Sequence, residues 1–236
     1  MIPISDENPT RITPIVNYAI IIACFGIFIW QILGGYSHFL FTLYNFGVIP
    51  RRILMGEGFY TLVTNTFLHG GWSHLLGNML FLWIFGDNIE DNIVCRSNVK
   101  FIGQLSYLAF YLFCGVAASA FWMLTDSSSP YPAVGASGAI AGVLGAYFIF
   151  YPTRQIRTLV GIGYFFRIIR VRAYTMIGVW FVYQFLMALS PFDTGVAFWA
   201  HVGGFIMGIL LAMFMRRRPR RIQTYYSSDL EEIRYL

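Results

Sequence analysis

The sequence predicts an all-α polytopic membrane protein, a bundle of six transmembrane helices in one domain. Three observations lead there. Of 236 residues, 57% are apolar and only 11% charged, against about a quarter in soluble chains, so a water-facing shell cannot be assembled around them. Six runs approach the roughly 20 apolar residues needed to cross about 30 Å of hydrocarbon: 14–34, 66–86, 101–124, 135–151, 174–190 and 198–215. Arginines and lysines collect in alternate connections, as they do when cytoplasmic loops carry the positive charge.

In chain order, MIPISDENPTRITP is polar and lacks a small-residue cleavage site, so 1–13 reads as a cytoplasmic segment and the first span as its own insertion signal. The segment 35–60 is rich in Tyr36, Phe39, Phe41, Tyr44, Phe46, Phe59 and Tyr60 but too broken by Gly and Pro to span. It is expected in the outer interface, its rings at headgroup level and Arg51 and Arg52 reaching phosphates. Arg96 and Lys100 place the next connection inside; 125–133, with Asp126 and no basic residue, falls outside. The fourth and fifth spans are short, so their ends should lie below the surface or be covered by loops. Between them, 153–172 carries Arg154, Arg157, Arg167, Arg170 and Arg172, which puts it inside, and its apolar run is too short to cross; it reads as an interfacial tether. The loop 191–197, with Asp193, returns outside. After the sixth span, Arg216, Arg217, Arg218, Arg220 and Arg221 open a basic cytoplasmic tail, 216–236, suited to anionic lipid heads and poorly ordered beyond them. Both termini are thus expected in the cytoplasm, flanking a membrane domain at 14–215. Cys24, Cys95 and Cys114 have no metal-ligand spacing and read as apolar filler.

Polar side chains inside spans are costly and point to function. The second span carries His69, His74 and Asn78, the fourth Ser137 and the sixth His201. These three spans all run from outside to inside, and each polar group lies in the first turns, so all share one shallow depth. His74 and Asn78 are four apart and lie on one helical face. On the fourth span Ser137, Gly138, Ala141, Gly142 and Gly145 make a narrow side without bulk; on the sixth, Ala200, Gly204, Gly208 and Ala212 recur every four residues, the spacing that lets transmembrane backbones touch. Packed so, Ser137 and His201 can approach to proton-transfer distance. Taken singly, a serine among glycines is commonly a packing residue and a buried histidine a satisfied structural one; the shared depth argues against that. His69, beside Gly70 and Gly71, reads as an exposed or helix-entry residue.

Together GASG in the fourth span, HLLGN in the second and AHVGG in the sixth resemble the rhomboid intramembrane serine proteases, over almost the whole chain from the first span to Met215. The resemblance implies Ser137 as nucleophile, His201 as its base, His74 and Asn78 as oxyanion donors, and Gly204 and Gly208 as close-packing residues. It also implies that Glu90 holds helix ends together. Two positions depart from the family: Ala141 stands where some members stack an aromatic on the histidine, leaving open what orients His201, and the first outer loop lacks a Trp–Arg pair.

The chemistry expected is acyl transfer by a Ser–His dyad, with the Ser137 backbone N–H, at a helix start, completing the oxyanion donors. Gly135, Gly138 and Gly142 would admit substrate backbone and let helices touch. Loops 127–133 and 191–197 are expected as covers, the latter moving with the fifth span to admit substrate. The resemblance implies transmembrane protein substrates, cut near their outer ends, while a short core without an added seventh span or soluble domain suits a bacterial inner membrane. No metal, cofactor or nucleic-acid partner is called for. The competing expectation is a catalytically inactive rhomboid-like protein that binds transmembrane helices.

Overall fold

A computed structural model describes residues 2–162, 165–191 and 195–216. Helix α1 (Ile15–Leu33) leaves the N-terminal strand β1 (Ile2–Asp6), and three short helices follow: α2 (Gly35–Phe46), α3 (Pro50–Leu54) and α4 (Thr61–Thr64). Helix α5 (Trp72–Phe81) runs through a π-helical turn (Leu82–Gly86) into α6 (Asp87–Val94), and then come α7 (Lys100–Thr125) and α8 (Ser137–Phe150). A hairpin of β2 (Gln155–Ile162) and β3 (Phe165–Arg172) precedes α9 (Ala173–Ala188) and α10 (Phe198–Arg216).

Three helices, α1, α7 and α10, are each long and apolar enough to cross a membrane, and α8 and α9 are shorter apolar helices. With hydrophobic side chains such as Ile22, Phe113, Leu186 and Leu210 left facing outward, this is the surface of an integral membrane protein. Helix α8 lies at the centre, buried from Gly138 to Tyr147 and packed chiefly on α10 and α7.

The expectation of an all-helical chain needs correction. Strands β1, β2 and β3 form an antiparallel sheet in that order, registered Ile2 to Leu159, Gln155 to Arg172 and Ile162 to Phe165. The physical cause is period-two alternation: Ile156 and Thr158 turn to the core while Gln155 and Arg157 face out. The segment 35–60 is likewise more regular than its glycines suggest. Arg52 donates to the Tyr44 carbonyl (2.9 Å) and Tyr60 to that of Asn45 (2.9 Å), so both side chains tie this segment together.

Buried polar groups lock the end of the molecule that holds the sheet. The Glu90 carboxylate accepts from the backbone N–H of Val16 (3.1 Å) and Asn17 (2.7 Å), groups left without intrahelical partners at the start of α1. Asn17 donates to the Leu82 carbonyl in the π turn (3.0 Å) and accepts from the Tyr107 hydroxyl (2.8 Å). One residue step further, Asp91 holds Arg11 through the backbone N–H (2.8 Å) and Nη2 (2.7 Å). Glu90 thus joins α6 to α1, the tie the resemblance implies.

Candidate active site

The segment before α8 is pinned from two sides. Val48 and Ala133 exchange backbone hydrogen bonds (3.0 and 2.8 Å), and Gly135 N–H donates to the Asn65 carbonyl (2.9 Å). Gly135 has φ +129°, a conformation that suits glycine, and a Cβ there would strike the His74 ring. The chain then turns into α8 with Ser137 as its first residue, so Oγ and the first unpaired N–H groups of the helix open into the same cleft.

Bare backbones bring α10 against α8. A Cβ on Gly204 would run into the Gly138 carbonyl, one on Gly208 into the Gly142 backbone, and one on Gly142 into Cys114 of α7. That contact sets His201 opposite Ser137, with Nε2 to Oγ at 2.8 Å. Gly138 is equally tight, facing Ala118 of α7.

His74 and Asn78 reach the cleft from α5. His74 Nδ1 accepts from the Gly70 N–H (3.4 Å), which turns the rest of its ring toward Gly135. Asn78 is buried at the wall of the cleft, and its Nδ2 has no hydrogen-bond partner among the described residues. A side-chain donor left free at a cleft wall is what a site receiving developing negative charge requires. The cleft encloses about 1000 Å³ and is lined by His74, Asn78, Ser137 and His201 together with Trp180 and Gln184.

One expectation changes, and one residue joins the site. His69 is fully buried rather than exposed: Gln31 brackets its backbone, accepting from its N–H (3.0 Å) and donating to its carbonyl (3.4 Å), while its ring packs edge-on to His74. Gln184 of α9 belongs to none of the sequence motifs, yet its Oε1 lies 2.8 Å from His201 Nδ1. The signal was present, an amide inside VWFVYQFLMAL, as costly in lipid as the histidines. Asp193 and the arginines from 217 onward lie outside the described residues.

The arrangement joins a hydroxyl, an imidazole positioned to take its proton and spare donors beside them, the parts of an acyl-transfer site. A family model described as Rhomboid domain matches residues 56–218. Rhomboid protease GluP of Bacillus subtilis (strain 168) is 31% identical over 185 residues, covering 78% of this chain and 31% of that protein. Putative rhomboid protease YdcA of the same strain is 27% identical over 180 residues, 76% of either chain. RHOMBOID-like protein 5 of Arabidopsis thaliana is 34% identical over 105 residues, 44% of this chain and 31% of its own. The chain thus spans about a third of the length of GluP and of RHOMBOID-like protein 5. With well over half of its residues matched by the family model and the motif residues gathered at one cleft, the chain belongs to the rhomboid family.

Proposed function

We propose that this chain is an intramembrane serine endopeptidase that cuts transmembrane segments of membrane proteins near their outer ends. The observation that carries the proposal is the 2.8 Å contact between Ser137 Oγ and His201 Nε2 at the floor of a roomy cleft. Ser137 Oγ attacks a peptide carbonyl as its proton passes to His201 Nε2. The C–N bond then breaks, the same proton leaves with the amine, and water repeats the attack on the ester to release the acid. Asn78 Nδ2, the ring of His74 and the backbone N–H of Ser137 supply hydrogen bonds to the oxyanion.

In this reading the chain crosses six times. The second crossing is the continuous path 72–94, and the short α8 and α9 supply the fourth and fifth. The sheet face and both termini are cytoplasmic, as the arginine distribution favours, and a bacterial inner membrane is the proposed setting. The boundaries at 13 and 216 separate the membrane domain from its flanking segments.

Labelling by a serine-directed fluorophosphonate in detergent tests the nucleophile. Wild type is expected to label, and Ser137→Ala and His201→Ala to lose at least about 100-fold of the labelling rate. Equal labelling of wild type and Ser137→Ala would overturn the assignment. Topology is tested by Ser128→Cys, which should react with an impermeant maleimide added outside intact cells.

A further inference from the structure

We propose that Gln184 is a positioning residue for His201, fixing the imidazole as the tautomer that carries its proton on Nδ1. This rests on the reading of Ser137 and His201 as a dyad and names the group that makes it work. Both ring nitrogens lie at hydrogen-bond distance from a side chain: Nδ1 from Gln184 Oε1 at 2.8 Å and Nε2 from Ser137 Oγ at 2.8 Å. Neutral imidazole has one donor and one acceptor nitrogen, so the partner of the first decides the role of the second. An amide carbonyl at Nδ1 accepts the N–H and leaves Nε2 as the lone pair that takes the serine proton. With the amide reversed, its NH₂ would occupy the Nδ1 lone pair, and Nε2 would become a donor useless as a base.

Among the described residues, the aromatic neighbours of the ring cannot make that choice. Trp180 lies tilted beside it, with ring centroids 6.2 Å apart, and Phe198 meets it edge-on at 6.1 Å; both constrain the plane but neither bonds a nitrogen. The position that could carry a stacking aromatic on α8 is Ala141, itself buried. Gln184 is also isolated on its own helix. The buried residues of α9 are Ala173, Met176, Ile177 and Gln184, the first three within its opening turns. An amide in an apolar stretch at that depth is expensive unless a polar partner receives it, and His201 is that partner. The base is therefore oriented from α9, whose inner end is fastened by the Ala173 N–H to Arg154 O (2.8 Å) and the Tyr174 N–H to Pro152 O (2.9 Å).

The test uses the full chain in vesicles of phosphatidylethanolamine and phosphatidylglycerol, with cleavage of a model transmembrane substrate and fluorophosphonate labelling as readouts. Gln184→Met keeps length and apolar bulk but removes the acceptor. It should lower kcat on the order of 100-fold, the low end of what general-base catalysis contributes, with KM and the unfolding midpoint near wild type. Gln184→Glu keeps an oxygen at the same reach; it should restore most of kcat and displace the acidic limb of the pH–rate profile, because a carboxylate now faces the ring. Wild-type kcat in Gln184→Met overturns the inference, as does a Gln184→Glu profile whose acidic limb has not moved, even if the methionine variant fails to fold. A wild type that labels beside an unaffected Gln184→Met sinks this inference alone. If wild type neither labels nor cleaves, the dyad reading falls and this one with it.

Discussion

Among the described residues Asn78 Nδ2 has no partner, while Ser137 Oγ and His201 Nε2 lie 2.8 Å apart; in the proposed reaction that free donor meets the charge of the tetrahedral state. A donor of this kind bonds the tetrahedral state more strongly than the ground state. Asn78→Ala should therefore lower kcat about 100-fold or more with little change in KM, measured on a model transmembrane substrate. His74, Asn78, Ser137 and His201 could be read from the sequence because lipid makes each one expensive and the orientation expected from the arginines puts them at one level. Gln184 escaped that reading because it has no polar neighbour four residues away and belongs to none of the motifs; only the fold shows that the amide faces an imidazole. His69 escaped for the opposite reason. Flanking glycines suggest water, but His69 is buried beside Gln31, which also donates to Thr42 of α2.

At the scale of elements, the contact between α8 and α10 is made of backbone, and bulk cannot be absorbed where the obstacle is a carbonyl rather than a flexible side chain. Gly208→Leu should destabilise the protein by at least about 2 kcal/mol in a detergent unfolding titration, and it should separate Ser137 from His201 enough to abolish labelling. Glu90→Gln is milder. It keeps the shape but removes the charge that faces the start of α1, so a loss of about 1 kcal/mol is expected in the same titration, without change in kcat. The stripe of small residues every four positions made the first contact legible in advance. The sheet is less legible, because 153–172 is too short to cross a membrane and shortness alone does not separate an interfacial tether from an alternating hairpin. The π turn has no sequence mark apart from Asn17, whose amide meets the Leu82 carbonyl from 65 positions away.

Across the whole molecule, strand β1 connects the chain's beginning to the far end of the helix that bears Ser137. Asp6 accepts from the Tyr147 hydroxyl (2.8 Å) and from Asn88 Nδ2 (2.9 Å), with Asp87 and Arg154 as charged neighbours. Burial pushes its carboxyl up from 3.8 to about 6, against the opposing pull of those hydrogen bonds and of Arg154. The folded form thus holds this proton more tightly than the unfolded one. The stabilisation is full below the unfolded value and is lost as pH rises through about 6. The unfolding midpoint in detergent should accordingly fall between pH 5 and pH 7.5, and Asp6→Asn should flatten that dependence.

Helix α9 has 16 residues, about 24 Å at 1.5 Å per residue, and Val179, Val182, Tyr183 and Leu186 on it are exposed. In a six-span arrangement those side chains meet lipid over a length about 6 Å short of an ordinary hydrocarbon layer. Acyl chains must shorten there, at fractions of a kcal/mol per Å of mismatch. Any foreign helix drifting along this flank would find its upper turn lifted toward headgroups and water before touching a single residue of the cleft. Selection would then begin in the shape of the bilayer, favouring segments whose upper turn surrenders its own hydrogen bonds most readily.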